Sequence, residues 1–263
     1  MKKQDKFGTR EWADRTINCC TGCSNNCRYC YARGMAVRFN RLKPEEWPLE
    51  KVRQDAVDRE YGRFNGPVMF PSSHDITPGN LDACLTVLRK LLDAGNNVLV
   101  VSKPRWECIE RICDLFGQYK NQILFRFTIG AMDNQVLSFW EPGASEYEER
   151  KAALLYAYFS EYQTSVSIEP MLDAKDVINL VEDLELSVTE SIWIGKMNHI
   201  RKNIVIDSAM AVEAVREIER GQTDEAIIGI YETLKDHPLI KWKESIRKII
   251  SKIIPPIGSD FRF

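Results

Sequence analysis

Five cysteines fall within twelve residues in NCCTGCSNNCRYCYAR: Cys19, Cys20, Cys23, Cys27 and Cys30. Such a cluster has three chemistries open to it, namely a zinc knuckle, a disulfide framework and a redox cluster. The chain starts without an apolar leader, and no run of about 18 apolar residues could span a bilayer. A cytoplasmic location is therefore expected, and a reducing cytosol disfavours disulfides. Cys20-x2-Cys23 and Cys27-x2-Cys30 could be read as a zinc site, but zinc ribbons separate their knuckles by roughly 15–20 residues, and here three intervene. Cys23, Cys27 and Cys30 form C-x3-C-x2-C, and three thiolates on one loop can hold three irons of a [4Fe–4S] cluster, leaving the fourth open to an external ligand. Cys19 and Cys20 could be a hydrogen donor, a resolving thiol or the buried end of a strand; alternation lets only one of them face inward.

The 263 residues carry a net charge of −2, so no global basic field points to a nucleic-acid partner. Locally the balance differs. Residues 28–43, RYCYARGMAVRFNRLK, hold Arg28, Arg33, Arg38, Arg41 and Lys43 with no acid among them. They form either a solvated helix face or a polyanion contact.

The elements that must position the cysteines follow from periodicity. A first strand is expected at TINCCT, then β-rich runs at 66–73, 96–103, 123–130, 164–172 and 191–197, short and Val/Ile/Phe-rich as buried parallel strands are. Helical spacing between them places Leu81, Leu85, Leu88 and Leu92 on one face with Gly95 as the stop, and starts another helix at Pro104. A Ser145/Glu148 capping-box pattern opens a third, and DAKDVINLVEDL supplies a fourth. The expected class is therefore α/β, with six parallel strands in a partial barrel or an open doubly wound sheet. Residues 1–205 would form this domain. Residues 206–263, read as helix only with a Pro/Gly-containing tail, would form a C-terminal helical extension.

Within this setting CSNNCRYCY resembles the cluster motif of the radical S-adenosylmethionine (SAM) enzymes, with Tyr29 and Tyr31 matching the aromatic positions around the third cysteine. The resemblance implies a partial (βα)6 TIM-like barrel, cluster ligands Cys23, Cys27 and Cys30, SAM on the fourth iron, and reductive cleavage to a 5′-deoxyadenosyl radical driven by a reductant such as flavodoxin or ferredoxin. It extends over roughly residues 15–200 and is nearest the spore photoproduct lyase-like branch. That branch implies Tyr29, Ser73, Asp75, Lys103 and Thr128 as cofactor contacts. It also implies a nucleobase, nucleotide or nucleic-acid substrate, with peptide modification as the alternative and a non-catalytic zinc or Fe–S nucleic-acid-binding module as the rival class. The lyases carry a hydrogen-donating cysteine where this chain has Ser72, and an O–H is a poor hydrogen-atom donor, so dimer repair by that route is not expected.

Asp75, Lys103, Glu169, Lys196 and Asn198 fall at or just past predicted strand ends, where barrels and open α/β sheets place their sites. Cys20, Tyr31, Glu169, Lys196 and Asn198 are the catalytic candidates. A helix cap competes for Asp75, and His74, His199 and Arg201 are neighbours of uncertain role. Cys84, Cys108 and Cys113 sit at apolar helical positions and read as buried core thiols.

Overall fold

A computed structural model describes residues 8–200, 204 and 206–253. Its strands are β1 (Arg15–Thr16), β2 (Cys20–Thr21), β3 (Lys51–Val52), β4 (Val68–Phe70), β5 (Val98–Ser102), β6 (Ile123–Thr128), β7 (Gln163–Ile168), β8 (Ser191–Ile194) and β9 (Ile240–Trp242). The helices are α1 (Tyr31–Arg38), α2 (Gln54–Asp58), α3 (Leu81–Asp93), α4 (Trp106–Leu115), α5 (Asn134–Trp140), α6 (Tyr147–Phe159), α7 (Val177–Leu184), α8 (Ala209–Gly221), α9 (Asp224–Leu234) and α10 (Glu244–Ile253). Seven strands form one sheet in the order β1-β4-β5-β6-β7-β8-β9, every neighbouring pair parallel. The sheet does not close, so the architecture is a partial barrel, as expected. No described helix is long and apolar enough to cross a membrane.

Alternation along the strands separates two environments. Val98 and Val100, Phe125 and Phe127, Val166 and Ile168, and Ile192 and Ile194 face the helices and join Val87, Leu88, Leu91 and Leu92 of α3 in the main core. Each fully buried side chain of this kind contributes about 1.5–3 kcal/mol. The other face carries Met69, Leu99 and Val101 in a small cluster against Trp12, then the buried polar Arg126, Ser165 and Ser167. The inner face thus begins apolar and turns polar. Helix α3 ends as expected, with Gly95 at φ +77° just beyond it, and Cys84, Cys108 and Cys113 are buried.

Several local expectations are corrected. The first strand leaves the main sheet after Thr16, and Cys20–Thr21 pairs antiparallel with β3 instead. Asn18 causes the departure: its Oδ1 accepts the N–H groups of Ser72 and Ser73, both at 2.8 Å. Helix α4 begins at Trp106, two residues after Pro104. The Ser145/Glu148 box does not form, because Ser145 donates its hydroxyl to the Pro104 carbonyl and Glu148 accepts from Asn134. Helix α5 was not foreseen. Residues 240–242, expected to be helical, form β9 beside β8, so the C-terminal segment supplies a seventh strand. The proposed boundary at residue 205, Arg201 and the tail after residue 253 lie outside the described residues.

Candidate active site

The cysteine loop is moored by backbone bonds from three directions. The Cys23 N–H donates to the Trp47 carbonyl (2.9 Å), the Arg28 N–H to Trp140 (2.8 Å) and the Gly143 N–H to Asn25 (3.1 Å). The last contact needs glycine, since a Cβ on residue 143 would stand 2.1 Å from the Ser24 carbonyl oxygen. Cys30 caps α1, its sulfur accepting the Arg33 N–H at 3.4 Å. The three thiols are thereby held where strands β4, β5 and β6 end.

Burial dominates their acidity. It pushes Cys27 up to about 12, against the pull of the Lys103 ammonium, and raises Cys23 and Cys30 as well. Cys27 sits close enough to both other thiols for their charges to be felt. Among the described residues no three His, Cys, Asp or Glu side chains converge on a single-ion site. Thiolates are the donors of iron–sulfur clusters, and three on one short loop match in type and number a cluster held by three cysteines.

Beside the loop lies a chain of buried charges. Lys103, at the end of β5, has its Nζ 3.5 Å from Asp75 and 3.9 Å from Glu141, and lies over the Tyr29 ring at 5.7 Å. Glu141 ion-pairs with Arg150 at 2.6 Å, both side chains fully buried, and accepts the Tyr29 hydroxyl. Arg150 also donates to the Thr128 carbonyl at 3.3 Å, tying α6 to the end of β6. Burial works against the charge of Lys103, but Asp75, with Cys27, Tyr29 and Glu141, holds its pKa well above the ordinary lysine range, so the ammonium keeps its proton. Both Asp75 oxygens are occupied, Oδ1 by the Lys103 N–H (2.8 Å) and Oδ2 by the Asn25 amide (2.9 Å). Asp75 therefore does not cap α3, whose N-cap is Asn80.

A second charge group lies across the mouth. Glu169, past the end of β7, accepts from Lys243 at 3.1 Å, and Lys243 also contacts Glu11 at 3.1 Å and the Gly8 carbonyl at 2.9 Å. Trp12 packs over the Lys243 ammonium at 4.1 Å. Burial pushes the Glu169 carboxyl up while Lys243 pulls it down, and the first effect wins. Gly195 permits this meeting: a Cβ there would be 2.8 Å from Lys243 and 3.0 Å from Glu169.

Between the two groups opens a cavity of about 800 Å³ lined by Cys27, Tyr29, Cys30, Tyr31, Ser73, Asp75, Lys103, Thr128, Glu169, Lys196 and Asn198, among others. Two predicted site residues are not on its wall. Cys23 lies behind, its thiol 3.8 Å from Asp75. Cys20 sits on β2, its thiol pushed up to about 12 by burial, and its N–H, like that of Cys19, donates to His74 Nε2. His74 is thus a bolt for the loop root. The Tyr31 hydroxyl donates to the Ser72 carbonyl at the cavity rim. Sequence reading missed Glu141, Arg150, Asn25, Lys243, Glu11 and Trp12. No local spacing signals any of them.

No protein-family model matches the chain. Over 197 residues it is 26% identical to the uncharacterized protein ORF301 of Acidianus two-tailed virus, covering 70% of this chain and 64% of that protein, so it spans slightly under two thirds of that relative's length. Among solved structures it is similar to a spore photoproduct lyase double mutant with bound AdoMet and dinucleoside spore photoproduct: TM-score 0.55, 16% identity, 95% of this chain and 77% of that one. It also resembles SuiB of Streptococcus suis bound to S-adenosylmethionine: TM-score 0.50, 8% identity, 87% of this chain and 49% of that one. At these identities the likeness is one of fold. The chain shares its fold with spore photoproduct lyase and, over a smaller part of the other chain, with SuiB.

Proposed function

We propose that this chain is a radical SAM enzyme acting on a nucleobase-containing substrate. The observation that carries the reading is the arrangement of the loop: the buried Cys23 and Cys27 and the half-buried Cys30 moored at the strand ends, beside a buried ammonium, at one end of a cavity of about 800 Å³. Cys23, Cys27 and Cys30 would hold a [4Fe–4S] cluster. With SAM bound to it and one electron from an external reductant such as flavodoxin or ferredoxin, the cluster would supply reductive cleavage and hydrogen-atom abstraction chemistry.

The chain's own groups bind and orient. Lys103, held charged by Asp75 and Glu141, presents its ammonium to the SAM carboxylate; Ser73 and Thr128 offer hydroxyls on the same wall. Asp75 acts through Lys103 and the loop, since its oxygens are already occupied. Glu169, with one oxygen on Lys243, offers the other to a hydrogen-bond donor on the substrate. Lys196 and Asn198 form the opposite rim. Ser72 brings no thiol, so hydrogen return to the substrate would rely on another group.

Anaerobic reconstitution with iron and sulfide, followed by dithionite and SAM, tests the reading. Formation of 5′-deoxyadenosine that is lost in Cys27→Ala is expected. A colourless protein that holds one zinc and cleaves no SAM would overturn it.

A further inference from the structure

Helix α1 leaves an apolar stripe uncovered. Tyr31, Met35 and Phe39 follow one another at four-residue spacing, so they share a face, and they are 53%, 46% and 52% exposed. The opposite face buries Ala32 and Ala36. Three large exposed apolar groups, two on so short a helix and Phe39 as its C-cap, are more than scattered surface residues explain.

The stripe is continuous with the cavity. Tyr31 and Met35 line its wall, and the Tyr31 hydroxyl reaches the Ser72 carbonyl there. Phe39 extends the same face outward, with the guanidiniums of Arg38 and Arg41 at 5.7 and 5.5 Å from its ring centre. Of the other arginines of the run, Arg33 holds Asn26 and the Arg28 carbonyl, and Arg28 pairs with Asp207 and packs on Phe139. Arg38 and Arg41 have no carboxylate partner among the described residues, and no acid occurs between positions 28 and 43.

We propose that this face of α1 is a docking strip for the part of the substrate outside the cavity, and that its occupant is a single-stranded nucleic acid. The proposal rests on the function given above. Planar rings beside unpaired guanidiniums suit unstacked bases and phosphates together. A protein electron carrier with an acidic face would also meet the arginines. Continuity of the stripe with the cavity wall favours the substrate, because a carrier seated there would cover the cavity mouth.

The test uses the anaerobically reconstituted protein and a fluorescein-labelled 12-mer of thymidylate, with binding read by anisotropy against salt. Phe39→Ala is expected to weaken binding about 5- to 100-fold, the loss of one stacked base, while Phe39→Trp retains it. Removing both guanidiniums in Arg38→Ala/Arg41→Ala is expected to lower the salt slope by about 1.4, two phosphates at roughly 0.7 each. Formation of 5′-deoxyadenosine without oligonucleotide should be unchanged in all three variants. Affinity within twofold of the parent in Phe39→Ala, or an unaltered salt slope, overturns the strip. So does loss of flavodoxin-driven but not dithionite-driven SAM cleavage in these variants with oligonucleotide binding intact, which would assign the face to the reductant. A parent protein that binds the oligonucleotide through Phe39 yet cleaves no SAM defeats the proposed activity and leaves the strip standing.

Discussion

At the scale of single residues, the centre of the site is Lys103. Among the described residues it is the only cation that touches both Asp75 and Glu141, and breaking a buried ion pair leaves the partners uncompensated. Lys103→Met is expected to cost about 3–5 kcal/mol in urea unfolding and to abolish SAM binding by equilibrium dialysis. Asp75 shows its role through pH. Burial opposes its ionisation, but the Lys103 ammonium and N–H and the Asn25 amide outweigh that, and its folded pKa lies below the ordinary value of 3.8. The folded state therefore sheds this proton more readily than the unfolded chain does. The resulting stabilisation is fully present above that value and is lost as pH falls through it toward the lower folded one. In unfolding titrations between pH 7 and pH 2, the gap between the parent and Asp75→Asn should be widest at neutrality and shrink below about pH 4. The C-x3-C-x2-C loop was legible in the sequence because its ligands are local. Glu141 and Lys243 were not, because a lone charge in a helical or amphipathic stretch reads as a solvated face, and only burial reveals otherwise.

At the scale of elements, the cysteine loop depends on the segment following α5. The Trp140 and Asn25 carbonyls accept loop and segment N–H groups, and Gly143 presses against Ser24. Gly143→Ala is expected to displace the loop, destabilise the fold by about 1–3 kcal/mol and lower the iron bound per chain on reconstitution, read by colorimetric iron assay. Helix α5 has seven residues, NQVLSFW, too few to establish a helical period. Strand β9 has three, IKW, with one fully buried position, too few to show alternation. The longer, apolar β5 and β6 fall within the runs read from the sequence, and β7 starts one residue before its run. The capping box before α6 failed for a different reason: the Ser145 hydroxyl found a tertiary acceptor in Pro104 that the local pattern does not contain.

At the scale of the whole molecule, the open edge of the barrel is bridged by its two ends. Glu11 joins Lys243 at 3.1 Å and Arg247 at 3.0 Å, and Trp12 packs edge-on to Trp193 at 6.0 Å inside the sheet. Glu11→Ala should loosen this bridge, costing about 3 kcal/mol in urea unfolding, and speed hydrogen exchange in β9 relative to β6, read by mass spectrometry. Read alone, the chain showed the cysteine motif and the βα order, because cysteine spacing and hydrophobic periodicity are properties of neighbouring residues. It also put Lys103, Thr128, Glu169 and Lys196 at the ends of strands. Tertiary structure alone decided which charges meet, that Cys20 is not on the cavity wall, and that Lys243, just past β9, pairs with Glu169. Those outcomes depend on segments tens to hundreds of residues apart being buried against one another, where a charge must find a partner whatever its distance along the chain.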